Sequence, residues 1–388
     1  MRLGILALTL LHGDVSMRRW PDLAGKRRGD FELGAHGGTG NQPDCGTGSD
    51  VSAPGHHRAY PETYAALDLG TNNCRLLIAR PAYEGFRIVD AFSRIVRLGE
   101  GLSRTGALCE AAIARTIGAL HICRDKMDQR RVRRARLIAT EACRAAANGQ
   151  AFVERVAKET GLELEIVNRE TEAHLAAAGC ASLADARASG IVLFDIGGGS
   201  SEIVWLSCPE KGTPPGTRGR VREWASLPLG VVSLAEKFGG QDVDCAVYEA
   251  MVTYVAEALA DFVERTAQRK RCAAFHLLGT SGTVTTIAGV HLGLSRYDRR
   301  RVDGLWMSNC EVDAAIGTLR AMTFADRVSN GCIGHDRADL VLAGCAILEA
   351  IRRAFPTNRV RIADRGLREG ILMEMMSADH VWREPREA

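Results

Sequence analysis

Two short motifs, Asp68-Leu-Gly70 and Asp195-Ile-Gly197, each close an apolar run, and they constrain this chain more than any other feature. Tyr64-Ala-Ala-Leu-Asp68-Leu-Gly70-Thr71-Asn72-Asn73 aligns with Ile191-Val-Leu-Phe-Asp195-Ile-Gly197-Gly198-Gly199-Ser200. A buried strand that ends in Asp and turns through Gly into a second strand is an ordinary hairpin when it occurs once. Two copies at equivalent places predict an internal duplication, with two similar half-domains facing each other across a cleft.

The order of elements supports the duplication. Apolar runs at 64–69, 75–79 and 86–97 read as three strands, followed by a helix over 110–127, a strand at 136–140, a helix at 150–160, a strand at 163–167 and a helix at 170–184. The pattern then repeats, with strands at 191–196, 202–206 and 222–227, a helix over 246–266, a strand at 276–278 and a helix at 284–292. Along the 246–266 helix, Val247, Met251, Tyr254, Val255, Leu259 and Phe262 recur at three- and four-residue steps, as one buried face requires. A helix at 338–352, a strand at 360–363 and a helix at 367–376 close the chain, and the turn formers of 209–216 read as a hairpin loop.

Composition bounds the class. With 388 residues and 46% hydrophobic side chains the chain can bury two cores, which the duplication divides into 62–186 and 187–377, with a tail over 378–388. Residues 1–61 are Gly-rich without helix or strand period and are expected to form a disordered leader. The apolar stretch Leu3–Leu11 is too short to span a bilayer and lacks a small-x-small cleavage site; Met17 is an alternative start. Fifty basic against 47 acidic residues and 5% aromatics argue against a nucleic-acid binder, and no membrane partner is expected. Twelve scattered cysteines without a C-x-x-C pair fit free thiols in a reducing compartment, so a cytoplasmic location is expected.

The Asp-Gly turns carry chemistry as well as topology. Turn N–H groups converge on a concavity, Gly admits close backbone approach, and Thr71, Asn72, Asn73, Ser200 and Ser201 offer donors to phosphoryl oxygens. Gly70, Gly198 and Gly199 belong to the same turns, and Asp68 and Asp195 are the candidate ligands for Mg²⁺ or another divalent cation. A third Gly-rich turn, Gly279-Thr280-Ser281-Gly282, opens a helix whose amides could also face an anion.

Eight segments in order then resemble one known family. They are Ala66–Asn73, Val96–Leu102, Ala139–Asn148, Glu170–Ala173, Asp195–Glu202, Leu227–Val231, Gly279–Thr283 and Asp364–Gly370, and together they cover about residues 62–377. The chain is similar to the exopolyphosphatase / guanosine pentaphosphate phosphohydrolase family, in a short two-domain form, within the superfamily of acetate kinase, sugar kinases, heat-shock chaperones and actin. The resemblance implies an α/β fold of two duplicated RNase H-like, actin-like ATPase domains. It also implies Mg²⁺-assisted release of terminal phosphate from polyphosphate or guanosine pentaphosphate, and a homodimer. It assigns Glu141 as general base, maps the second carboxylate to Glu170, and leaves Arg75 and Arg144 as cleft cations. His174 stands where the family has Arg, so its expected place is a helix surface.

The arginine run Arg130-Arg-Val-Arg-Arg-Ala-Arg136 admits two readings, a polyanion channel or a solvated helix end, and the second is preferred. Two other functions stay open for the chain as a whole: a small-molecule kinase of the same superfamily, and a non-catalytic nucleotide-dependent switch.

Overall fold

The computed structural model describes residues 62–382 apart from 84, 186 and 208–219; the expected leader, the 209–216 loop and the end of the tail lie outside these residues. Its first sheet comprises β1 (Tyr64–Leu69), β2 (Asn73–Pro81), β3 (Phe86–Ile95), β4 (Arg134–Ala139) and β5 (Glu165–Ile166), in the order β3-β2-β1-β4-β5. A second sheet comprises β6 (Gly190–Ile196), β7 (Ser201–Ser207), β8 (Arg220–Leu227), β9 (Phe275–Thr280), β10 (Trp306–Ser308) and β11 (Arg359–Ala363), in the order β10-β11-β9-β6-β7-β8. From β8 to β11 the second sheet repeats the first, and β10 is an added edge.

The repeat extends to the hydrogen bonds. β1 runs antiparallel to β2 and parallel to β4, as β6 does to β7 and β9. Gly70 N donates to Asn73 O and Gly197 N to Ser200 O, each at 2.9 Å. The two Asp-Gly turns are therefore the same structure built twice.

Both central strands are covered on both faces, which explains their unbroken apolar runs. Ala65, Leu67 and Leu69 face one core with Ile117, Leu120 and Phe152, while Tyr64 and Ala66 face another. In the second sheet Val192, Phe194 and Ile196 share a core with Met251, Val255, Leu259 and Phe262, and Ile191 and Leu193 look the other way. The long helix Cys245–Cys272 starts at Asp244, whose carboxylate accepts from Val247 N at 2.8 Å, and ends in Arg269, Lys270 and Arg271, charges suited to a helix C-terminus. Tyr254 departs from the expected buried stripe: it is 38% exposed and packs on Phe238, and Tyr248 and Val252 are buried instead.

All strands of the first sheet precede residue 187 and all strands of the second follow it, yet two helices are exchanged. Arg169–Cys180 packs Ala173, Ala176, Ala177 and Cys180 on the second sheet. The C-terminal helix Leu367–Ala378 packs Ile371, Leu372, Met375 and Met376 on β1, β2 and β4 of the first. The two helices cross where glycines allow backbone contact: a Cβ on Gly370 would lie 2.0 Å from Leu175 O, and one on Gly179 would lie 1.9 Å from Gly366 O.

This exchange also accounts for the arginine run. Arg134 and Arg136 are strand residues; Arg134 pairs with Asp379, and Arg136 with Glu165 and Glu374 at 3.0 Å. Arg130 pairs with Asp90 at 2.9 Å. Arg130 caps the end of the helix Glu110–Gln129, so the helix-end reading holds for the start of the run, while Arg134 and Arg136 belong to β4. These last two arginines of the run tie the C-terminal helix to β4.

Candidate active site

The two Asp-Gly turns come from different sheets and meet face to face. A Cβ on Gly198 would lie 3.0 Å from Thr71 Cβ, and one on Gly199 would lie 2.8 Å from Thr71 Oγ1 and 3.3 Å from Glu141 Cγ. Any side chain at Gly199 would push the turns apart, so its need for glycine is steric and comes from the opposite half of the molecule.

Between the turns lies a cavity of about 110 Å³. Among the residues expected to hold phosphate or metal, Asp68, Gly70, Thr71, Asn72, Asn73, Arg75, Asp195, Gly197, Gly198, Gly199, Ser200 and Ser281 line it, together with Glu141. A wider space of about 690 Å³ adjoins it and shares Asp68, Arg75, Asp195, Ser281 and Arg337. Thr280 lines only this second space and gives its hydroxyl proton to Arg365 O at 2.7 Å.

Glu141 is the first residue of a short helix that follows β4 directly, and it is buried, with 8% exposure. Both its oxygens are held: Oε2 by Arg144 Nη2 at 2.6 Å, and Oε1 by Arg169 Nη2 at 2.9 Å. Arg169 reaches it from the start of the exchanged helix, which Asn168 caps by accepting from Thr171 N. Arg144 also bonds Glu172 Oε2 at 3.1 Å and Val167 O at 2.6 Å.

Four expected roles are corrected by this geometry. Glu170 is exposed and does not line the cavity; Glu172, two residues on, does. A shift of two positions turns a helical side chain through about 200°, so only one of the pair can face the cleft. Arg144 does not line the cavity, and its guanidinium is engaged by Glu141, Glu172 and Val167. Ser201 is buried and donates to Leu229 O at 2.9 Å, fixing the loop before the Val231–Phe238 helix. Gly279 serves packing: a Cβ there would lie 2.5 Å from Phe194 Cζ. His174 lies on the exposed helix surface, its Nδ1 2.8 Å from Glu170 O.

Sequence reasoning missed Glu202 in β7, which is 2% exposed, lines the cavity, and accepts from Ser226 Oγ at 2.9 Å. Its signal was present, because Glu202 follows Asp195 at the interval by which Arg75 follows Asp68. Also missed were Arg337 and Arg368. Among the described residues neither these two nor Arg75 forms an ion pair within bonding distance, although all three border the cleft. Burial lowers the pKa of Arg337 and Arg368, and for Arg337 the nearby charge of Arg75 adds to this.

The carboxylates respond to the same confinement. Burial raises the pKa of Asp68, against the opposing pull of Arg75 and Arg368. Burial raises Asp195 to about 6, with Asp68 adding repulsion, and raises Glu202 to about 7, with Asp195 adding repulsion. Glu172 is raised well above the usual carboxylate range by burial and by Glu202. A floor of mutually repelling acids beside unpaired arginines suits a ligand that carries both signs, such as a phosphate chain with its cation. Among the described residues the buried Oδ1 atoms of Asn72 and Asn73 have no hydrogen-bond partner; as acceptors they call for a cation or a donor group, not for a phosphoryl oxygen.

The model of the Ppx/GppA phosphatase family matches residues 77–379. The chain belongs to that family. It is 26% identical to exopolyphosphatase 2 of Mycobacterium tuberculosis over 80% of this chain and 98% of the relative. It is 24% identical to the guanosine-5'-triphosphate,3'-diphosphate pyrophosphatase of Pseudoalteromonas translucida over 84% of this chain but 62% of the relative. The crystal structure of the Aquifex aeolicus member of the Ppx/GppA family superposes with a TM-score of 0.65 at 27% identity, covering 82% of this chain and 99% of that one. The two duplicated α/β domains are thus the actin-like ATPase fold of the Ppx/GppA family. Among the described residues no helix is long and apolar enough to cross a membrane.

Proposed function

We propose that this chain hydrolyses terminal phosphoanhydrides, releasing orthophosphate from polyphosphate or from guanosine pentaphosphate. The observation that carries the reading is the convergence of Glu141 with both glycine turns, since Gly199 has room for no more than a hydrogen between Thr71 and Glu141. A terminal phosphoryl group seated between the turns would meet backbone N–H groups and hydroxyls on two sides and a fixed carboxylate on a third.

In the proposed reaction, water attacks the terminal phosphorus, the bridging P–O bond breaks, and the shortened chain leaves as the anion. Glu141 orients and deprotonates the water from a carboxylate whose direction is set by Arg144 and Arg169. Glu202 takes the supporting role expected of Glu170, because it titrates near neutrality and lines the same cavity. Arg75, Arg337 and Arg368 hold the rest of the chain.

The donor set fits a hard divalent ion. Asp68 and Asp195 offer oxygen only, and among the described residues no group of three or more acids, histidines or cysteines forms a metal cage. Mg²⁺ is commonly held in this way, by one or two carboxylates, water and substrate phosphate. When bound, it would offset the charge on the phosphoryl oxygens. A reducing, cytoplasmic setting and a homodimer belong to the same proposal.

The test is orthophosphate release from long-chain polyphosphate and from guanosine pentaphosphate, side by side, with Mg²⁺. Wild-type protein should release phosphate from at least one, and Glu141→Gln should lower kcat about 10²- to 10⁴-fold. No release from either, with labelled γ-phosphate of ATP passing to an acceptor, would replace the proposal with the kinase reading. A Glu141→Gln protein at full rate would remove the base assignment alone.

A further inference from the structure

The backbone of the first phosphate turn is stitched to a neighbouring segment, which in turn grips the opposite lobe. Val96 N and Arg97 N both donate to Asn72 O, at 2.9 and 3.1 Å, and Gly99 N donates to Thr71 O at 2.9 Å. Arg97 has φ of 47°, a left-handed backbone that is uncommon for residues other than glycine. Its side chain crosses the cleft: Nη1 and Nη2 bond the two oxygens of Asp339 at 3.1 Å each, and Nη2 bonds Asp336 O at 3.1 Å. Arg337, which like Arg75 lines both cavities, lies between those two partners in the chain.

A second contact crosses nearby. Glu236, on the helix Val231–Phe238, accepts from Gly101 N at 3.0 Å and from Ser103 Oγ. That helix starts at the second phosphate turn, where Val231 N donates to Gly197 O and Val232 N to Gly198 O. Each bridge therefore begins at the backbone of one phosphate turn and ends on the other lobe. Between them lies a cavity of about 210 Å³ bounded by Thr71, Asn72, Arg97, Glu236 and Asp339.

We infer that Arg97 is a positioning residue, which with Asp339 latches the two lobes so that Arg337 is brought over the Thr71-Asn72 turn when a phosphate chain is bound. Arg97 touches no reacting atom in this scheme. It acts through Asn72 on one side and through the 336–339 segment on the other, and Glu236 with Gly101 and Ser103 forms the second strut. Closure and occupancy are linked because the backbone that would hold phosphate is the backbone that holds Arg97. An ion pair at this place suits a latch better than an apolar contact would. Both partners keep partial solvent access, with side-chain exposures of 32% and 26%, so they can part without leaving a buried charge alone.

The inference rests on the phosphohydrolase reading for its kinetic arm only. Small-angle scattering with and without inorganic tripolyphosphate, in Mg²⁺, reports lobe closure whether or not turnover occurs. Wild-type protein should compact on adding tripolyphosphate. Arg97→Ala and Asp339→Ala should lose that compaction and raise KM for tripolyphosphate by about two- to 150-fold, the range of energetic coupling between contacting groups. The reversed pair Arg97→Asp with Asp339→Arg should regain most of it, and thermal unfolding of each variant shows that it is folded. A role confined to the stability of one lobe would lower Tm without the KM change and without recovery in the reversed pair, and that result would overturn the latch. Loss of turnover in wild type with compaction retained would overturn the hydrolase reading and leave the latch standing.

Discussion

Arg75 and Glu202 occupy the same position in the two halves of the molecule: Arg75 is the cross-strand partner of Asp68, and Glu202 is that of Asp195. The duplicated strand pair carries a cation in one copy and an acid in the other, and both project into one cleft. Duplication alone would give a site with two like surfaces. This exchange of charge puts a cation and an acid at equivalent places around the same cavity.

The first prediction concerns Glu202. Its pKa of about 7 means that the ionised form, which can accept a proton, gains population as pH rises from 6 to 8. Activity should climb through that interval, and Glu202→Gln should flatten the climb and lower kcat about 10²-fold or more, as removal of a general acid or base does. A pH–rate profile that keeps its rising limb in Glu202→Gln would sink the assignment.

A contrast between neighbours tests the corrected second carboxylate. Glu170 is exposed on the first helical turn, whereas Glu172 is engaged by Arg144 and borders the cavity. Glu170→Ala should leave phosphate release within about twofold, consistent with the small effects of surface changes. Glu172→Ala should lower it at least tenfold, about 1.4 kcal/mol in activation free energy, because Arg144 would lose one of the acids that fix its direction toward Glu141. Equal losses in both variants would refute the distinction.

Stability should depend on pH with a sign opposite to that of salt-bridged acids. The folded-state pKa values of Asp195 and Glu202 are raised, so between about pH 4 and 7 the native state binds more protons than the unfolded one. Their contribution is full below the unfolded values and is lost as pH rises through 6 to 7. Thermal unfolding in the absence of divalent cation should therefore show Asp195→Asn gaining Tm relative to wild type at pH 8 but not at pH 4. Mg²⁺ should raise wild-type Tm more at pH 8 than at pH 5. Equal gains at both pH values would contradict the repulsive acid floor.

The helix exchange has its own test. Gly370 approaches Leu175 O so closely that a methyl group cannot enter without separating the two helices. Gly370→Ala should cost about 1 to 3 kcal/mol, the usual penalty of overpacking, and chemical denaturation would measure it. Gly118, on an open helix face with nothing near its Cβ position, is the control: Gly118→Ala should be neutral or stabilising.

How far the residues alone carried the argument differs from element to element. The central strands, the long 245–272 helix and the two Asp-Gly turns were legible because each follows from local pattern: an unbroken apolar run, a 3.6-residue stripe, a carboxylate before Gly. The motif that singled out Glu141 pointed to a residue that lines the cavity. Glu170 was misassigned because motif matching fixes a segment to within a turn of helix, while the side chain that faces a cleft depends on how that helix is rotated against its sheet. Gly279 and Ser201 were assigned to phosphate because Gly and Ser occur in such turns. Phe194 and Leu229, distant in sequence, use them for packing and hydrogen bonding instead.

The chain by itself determined that there are two homologous α/β halves and that their conserved geometry is an Asp-Gly turn, because strands and tight turns are set by residues within a few positions of one another. Tertiary structure decided everything that requires the halves to meet. It placed Glu172 and Glu202, rather than Glu170, on the cavity, brought Arg169 onto Glu141, and sent each half's last helix to the other's sheet. Those outcomes rest on close contacts between residues far apart in sequence, and no local pattern encodes which of two equally polar side chains will be left facing the gap.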